Sequence, residues 1–180
     1  MKKSVYFLTV IIVLIPLKLF AETLLFISNN SETNLKLIGQ VQVTDGDTIR
    51  QGKLKIRLHG IDAPELKQIC KKPYLTIFMF TFYEDYSCGQ ISTEALIKKI
   101  NNQKITCKIS DIDYFKRLIG ECYKRKTNLN AWLVSYGHAV AFRKYSKKYV
   151  PEEMLAKKDK KGMWRGKFEM PWDYRKSKKN

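Results

Sequence analysis

The sequence predicts an α+β domain, a five-stranded OB-fold β-barrel carrying three helices. Three observations predict it: short alternating stretches bounded by glycine turns, a helical stretch between the third and fourth of them, and two more helical stretches after the fifth. The first strand is expected over 35–44. Asp45-Gly46 and Gln51-Gly52 are turn signals, so 48–51 and 53–58 complete a three-stranded meander. Ser92 then reads as the N-cap of a helix over 92–101, with Glu94 early in it and Ala95, Leu96 and Ile100 on one face. Strands over 104–110 and 118–124 flank a polar turn. A short helix over 130–136 stops at Gly137, and another over 151–161 has Pro151 at its first position and Gly162 just past its end.

The connection 66–91 is long for a compact domain and contains an apolar run from Tyr74 to Tyr83. It reads as a loop folded onto the barrel, with an extra strand as one form it can take. A solvated patch of this kind is the competing reading, since such patches mark contact surfaces. The four cysteines, Cys70, Cys88, Cys107 and Cys122, suggest two disulfides. Cys107 and Cys122 are symmetric about the Tyr114-Phe115 bond, so a hairpin there sets them opposite one another and leaves Cys70 for Cys88. Zinc is the rival use of four thiols, but no Cys-x-x-Cys pair is present.

Residues 1–21 read as a signal peptide: Lys2 and Lys3, an apolar run from Val5 to Leu17, and Ala21 at the cleavage position. An uncleaved N-terminal anchor is the alternative. Residues 22–34 form a leader, 35–175 the folded domain, and 176–180 a frayed basic tail. The 180-residue chain has 34 basic and 17 acidic side chains, a net of +17. Removing 1–21 takes three lysines and no acids, leaving a net of +14. Such a chain is drawn to polyanions, whether nucleic acid or an anionic membrane.

Asp45-Gly46-Asp47-Thr48 and Arg57-Leu58-His59-Gly60-Ile61-Asp62-Ala63-Pro64-Glu65 put four carboxylates and an arginine into 21 residues. Clustered ionised carboxylates repel one another unless a cation neutralises them. A nearby guanidinium, which can hold two phosphate oxygens at once, implies an anionic substrate. His59 and His138 read as structural. The run Arg143-Lys144-Tyr145-Ser146-Lys147-Lys148-Tyr149 interleaves charge with aromatics, as suits a single-stranded nucleic-acid track. Trp164, Phe168 and Trp172 are expected to dock the C-terminal segment on the barrel.

From about Gly39 to Arg175 the chain resembles the staphylococcal nuclease-like proteins, the thermonucleases, in their secreted bacterial form. Besides the acidic motifs, the markers are Asp113-x-x-x-Arg117, Asn130-x-x-Leu133-Val134-x-x-Gly137-x-Ala139 and Gly162-x-Trp164. The resemblance implies a Ca²⁺-dependent phosphodiesterase acting on DNA and RNA with little sequence preference. It places Asp47, Asp62 and the backbone carbonyl of Ala63 on the metal, Asp45 behind them, Glu65 on the attacking water, and Arg57 and Arg117 on the phosphate. A hard cation with six to eight oxygen ligands suits that donor set, and Pro64 holds Ala63 extended. Phe142 and Tyr145 fall at aromatic positions of the nucleotide pocket, and Tyr145, Arg143, Lys144, Lys147 and Lys148 are the expected nucleic-acid contacts. Lys116 stands where the family usually has glycine, so that turn is expected to bend differently. The reading is a monomer, secreted or periplasmic, with no stable membrane association once the signal is cleaved. A binding module of the same fold without catalysis is the alternative function; a membrane-surface protein is the third.

Overall fold

In the computed structural model the described residues are 35–178. The signal peptide and leader expected over 1–34 lie outside them. In chain order the elements are β1 (Leu35–Gly39), β2 (Gln42–Asp45), β3 (Thr48–Gln51), β4 (Leu54–Leu58), β5 (Ile61–Asp62), β6 (Cys70–Ile77), β7 (Phe80–Tyr86), α1 (Cys88–Ile100), β8 (Ile105–Ile112) and β9 (Leu118–Lys124). There follow β10 (Thr127–Asn128), α2 (Leu129–Ser135), β11 (Val140–Ala141), α3 (Val150–Lys158), a 3₁₀ turn (Gly162–Arg165) and α4 (Pro171–Ser177).

The main sheet runs β1-β8-β9-β4-β3-β2, with β10 on β9. Its two edges, β1 and β2, are halves of the one strand expected over 35–44, broken at Gln40-Val41. The sheet therefore curls until its edges meet in sequence, which is the OB barrel. A parallel pairing of β4 with β9, Arg57 opposite Ile119, completes the circuit. Inward side chains are the alternating apolar ones: Ile49, Ile56, Leu58 and Ile61 from the strands pack with Leu96 of α1 and Leu133 of α2, all fully buried.

Three elements depart from the sequence reading. α1 begins at Cys88, so Ser92 is no cap; its buried hydroxyl donates to the His138 carbonyl at 2.7 Å. A helix-interior serine that finds a tertiary acceptor gives no local signal to distinguish it from a cap. The connection 66–91 is the hairpin β6–β7, a two-stranded sheet of its own whose apolar side chains stay exposed rather than covering the barrel. The tail expected over 176–180 is helical through Ser177, because Trp172 of α4 stacks on Phe142 at 5.4 Å.

The disulfides join Cys107 with Cys122, directly opposite on β8 and β9, and Cys70 with Cys88, across the base of the β6–β7 hairpin. Lys116 stands in the β8–β9 turn. It takes φ 59°, the left-handed conformation that glycine enters freely, at roughly 1 kcal/mol for a side chain.

Candidate functional site

Four segments meet at the acids. The turn Asp45-Gly46-Asp47 between β2 and β3 lies against α1 and Ala63: a Cβ on Gly46 would sit 2.3 Å from the Ser92 hydroxyl and 2.7 Å from the Ala63 Cβ. Only glycine fits there, which explains the Asp-Gly-Asp spelling better than its turn propensity does. Arg57 stands on β4 opposite Thr48 of β3. The chain then turns at Gly60, φ 73°, and returns as β5, which β11 pins by pairing Asp62 with Val140.

Asp47 and Asp62 are buried, and Arg57 bridges them with 2.6 Å bonds to Oδ1 of each. Asp47 also accepts from the Thr48 hydroxyl at 3.0 Å and from the Ala63 N–H at 2.9 Å, while Asp45 accepts from the Asp47 N–H at 3.1 Å. Glu65, half exposed, sits where α1 begins, since a Cβ on Gly89 would come within 1.8 Å of its carbonyl oxygen. Asp47, Asp62, Ala63, Asp45, Glu65 and Arg57 are thus brought together.

Arg117 is not joined to them by any described contact. Its guanidinium pairs at 2.7 Å with Asp113, which also takes the Phe115 and Arg117 N–H groups and so organises the β8–β9 turn. A different arginine reaches the acids. Arg175 of α4 donates to both oxygens of Asp62, at 3.1 and 2.7 Å, and to Glu65 at 2.8 Å. Reasoning from motifs passed it by because it lies 110 residues from Glu65, in a segment read for its aromatics. The Pro171-Trp172 start of α4, docked by tryptophan, was the one available signal.

The electrostatics are those of a site short of positive charge. Burial pushes the Asp47 carboxyl up to about 6, reinforced by Asp45 and opposed by Arg57. Burial raises Asp62 too, with the Asp47 charge adding to it, against the Arg175 hydrogen bonds. Both guanidiniums are held charged by the acids, despite their own burial. Among the described residues no group of three or more acidic, histidine or cysteine side chains is arranged to hold a metal. The two buried carboxylates are nevertheless oxygen donors of the kind a hard divalent cation takes with water and phosphate, and the Ala63 backbone meets Asp47 through its N–H.

Of the expected nucleic-acid contacts, Arg143 is engaged by the buried Glu153, at 2.5 Å, and Lys148 by Glu121, at 2.5 Å. Tyr145 is exposed, packed edge-on against Phe142. Lys144 lies over the Tyr145 ring at 5.7 Å, and Lys147 is exposed. Burial lowers the pKa of His138, which packs beside Trp132. His59 carries structure through its backbone, which bonds Gly120 and Asn130.

A family profile described as staphylococcal nuclease homologue matches residues 55–166. The chain is 31% identical over 157 residues to the probable staphylococcal-like nuclease CAN3 of Oryza sativa subsp. japonica, covering 86% of this chain and 36% of that protein. It is 32% identical over 136 residues to the succinoglycan biosynthesis protein ExoI of Rhizobium meliloti, covering 74% of this chain and 67% of that one. It is 26% identical over 158 residues to the micrococcal nuclease of Shigella flexneri, covering 78% and 80%. The chain spans about a third of the length of the rice relative.

Proposed function

The chain belongs to the staphylococcal nuclease homologue family, and from that premise we propose that it is an exported, Ca²⁺-dependent phosphodiesterase that hydrolyses DNA and RNA with little sequence specificity. The observation that carries this reading is the bridging of Asp47 and Asp62 by Arg57, with Glu65 tied to Asp62 through Arg175.

Asp47 and Asp62, with the Ala63 carbonyl, would hold the ion, and Asp45 would stiffen Asp47 from behind. The bound ion supplies positive charge at the phosphate and polarises it for attack. Glu65 is a half-exposed carboxylate that, unlike the buried Asp47 and Asp62, can take a proton from, or orient, the attacking water. Arg57, moved from the acids onto a phosphate, would stabilise the charge that grows on the equatorial oxygens, and a fork of five donors suits two of them at once. Arg175 starts from the Glu65 side of the same point and is a second such donor. Arg117 remains a third: it lies just before β9, the strand that pairs with the β4 segment bearing Arg57, and would have to leave Asp113 to reach a phosphate.

Export is supported by the two disulfides, which persist in oxidising compartments, and by the character of residues 1–21. No described helix is long and apolar enough to cross a membrane. The test is incubation with single-stranded DNA and with RNA, with Ca²⁺ or with a chelator. Cleavage of both polymers with the ion alone supports the reading; tight binding without cleavage under both conditions replaces it with a binding module.

A further inference from the structure

The hairpin β6–β7 ends in a two-residue turn, Phe78-Met79, between the paired Ile77 and Phe80. Phe78 is 96% exposed, Met79 92% and Phe80 70%. Behind the tip, Leu75 pairs with Phe82 on the same face as Ile77 and Phe80, and all four are exposed. No charged residue occurs from Tyr74 to Tyr83. The opposite face carries Thr76 and Thr81, whose hydroxyls bond each other at 3.3 Å.

The base of the hairpin is the reverse in character. The acids there are consumed in ion pairs, Lys71 with Asp85 and Lys72 with Glu84, while Lys167 lies over the Tyr83 ring at 4.5 Å and Arg165 over Tyr86 at 5.4 Å. Neither Lys167 nor Arg165 has a carboxylate partner among the described residues. The stalk is fixed by the Cys70–Cys88 bridge and by reciprocal backbone bonds of 2.8 and 2.9 Å between Lys71 and Lys167. Such a mount holds the tip away from the barrel.

We propose that this hairpin is a membrane-docking element for anionic lipid. An uncharged tip enters the headgroup–acyl boundary, tyrosines with one apolar and one polar end sit at the interface, and cations form a collar at the phosphates. The dimensions agree: two residues on each strand separate the turn from the Leu75–Phe82 pair, so the tip stands three steps, roughly 10 Å of strand, beyond that pair, and interfacial elements bury about 5–10 Å. Deeper entry is opposed by the open backbone edges of a two-stranded sheet, so the element lies in the interface and does not span. A nucleic-acid strand is the poorer fit, because stacking platforms pair aromatics with nearby cations, whereas the described cation–ring contacts of this hairpin are at its base, on Tyr83 and Tyr86. The net charge of +17 adds a long-range pull toward the same surface. This placement departs from the sequence expectation of no stable membrane association once the signal is cleaved, and it stands whether or not the chain hydrolyses phosphodiesters.

The test is co-sedimentation of the full chain with vesicles of phosphatidylcholine alone or with one quarter phosphatidylglycerol. The native chain and a triple variant, Phe78→Ser with Met79→Ser and Phe80→Ser, are compared; both keep the apolar residues 5–17, so their difference reports the hairpin. The expected result is at least tenfold stronger binding to the anionic vesicles, at least tenfold weaker binding by the triple variant with unchanged melting, and a shallower salt dependence for Lys167→Gln. Equal binding by native chain and triple variant overturns the proposal. So does a tip variant that loses self-association in sedimentation velocity while vesicle binding is unaffected, which would make the hairpin a contact between copies of this chain.

Discussion

Arg175→Ala should destabilise the protein far more without divalent cation than with it. The Asp62 side chain has no solvent exposure, and it keeps its charge through two guanidiniums, Arg57 and Arg175. Removing one partner of a buried ion pair costs about 3–5 kcal/mol. Here Arg175 is about one-third exposed and Arg57 remains at 2.6 Å, so the cost falls to about 2 kcal/mol, or roughly 8 °C in melting temperature for a domain of this size. If Asp47 and Asp62 take up Ca²⁺, the ion replaces the lost charge, and most of the deficit should vanish at saturating Ca²⁺. Urea unfolding of native and variant chains, with Ca²⁺ and with chelator, gives the four free energies needed. A deficit below about 0.5 kcal/mol in chelator would show that Asp62 does not depend on Arg175. A deficit that Ca²⁺ leaves unchanged would show that the cation does not occupy these carboxylates.

Three further outcomes are expected. Arg57→Ala should lower turnover on single-stranded DNA by two to three orders of magnitude, about the loss of one transition-state donor, without loss of the barrel by circular dichroism. For Asp47 the folded pKa of about 6 exceeds the ordinary value of 3.8, so the folded state binds the extra proton between those values and the metal-free protein loses stability as pH rises from about 4 to 6. Asp47→Asn should remove that part of the slope, worth at most about 3 kcal/mol, and unfolding midpoints at pH 4 and 7 check it. Gly89→Ala, which helix propensity alone would make favourable by about 1 kcal/mol, should instead cost about 2 kcal/mol and impair catalysis, because the new Cβ meets the Glu65 carbonyl; a rise in melting temperature would refute that account.

The barrel was legible because its signals are local. Alternating apolar residues, the glycine turns and the symmetric cysteines each act over short stretches, 15 residues at most for the cysteines, and the meander and the Cys107–Cys122 pair formed where they pointed. The Ser92 cap misled for the same reason, since serine carries the same local chemistry whether it caps a helix or donates to His138. Among site residues, Asp45, Asp47, Asp62 and Glu65 were marked by their crowding, which is itself anomalous in electrostatic terms. At Lys116 a side chain occupies the left-handed conformation that glycine enters freely, in a turn where Asp113 accepts three hydrogen bonds, a set of contacts that the residue order alone does not reveal.

By itself the sequence determined the fold class, the two sulfur bridges and the acidic cluster beside Arg57, because each follows from periodicity, spacing or charge density along the chain. Only tertiary structure decided that Arg175 joins Arg57 at the acids and where the apolar run 74–83 goes. Arg175 arrives because an aromatic stack docks a helix far along the chain, while the described partner of Arg117 is a carboxylate four residues away. Both outcomes turn on which partner lies within a few ångströms after folding, a quantity that residue order does not contain.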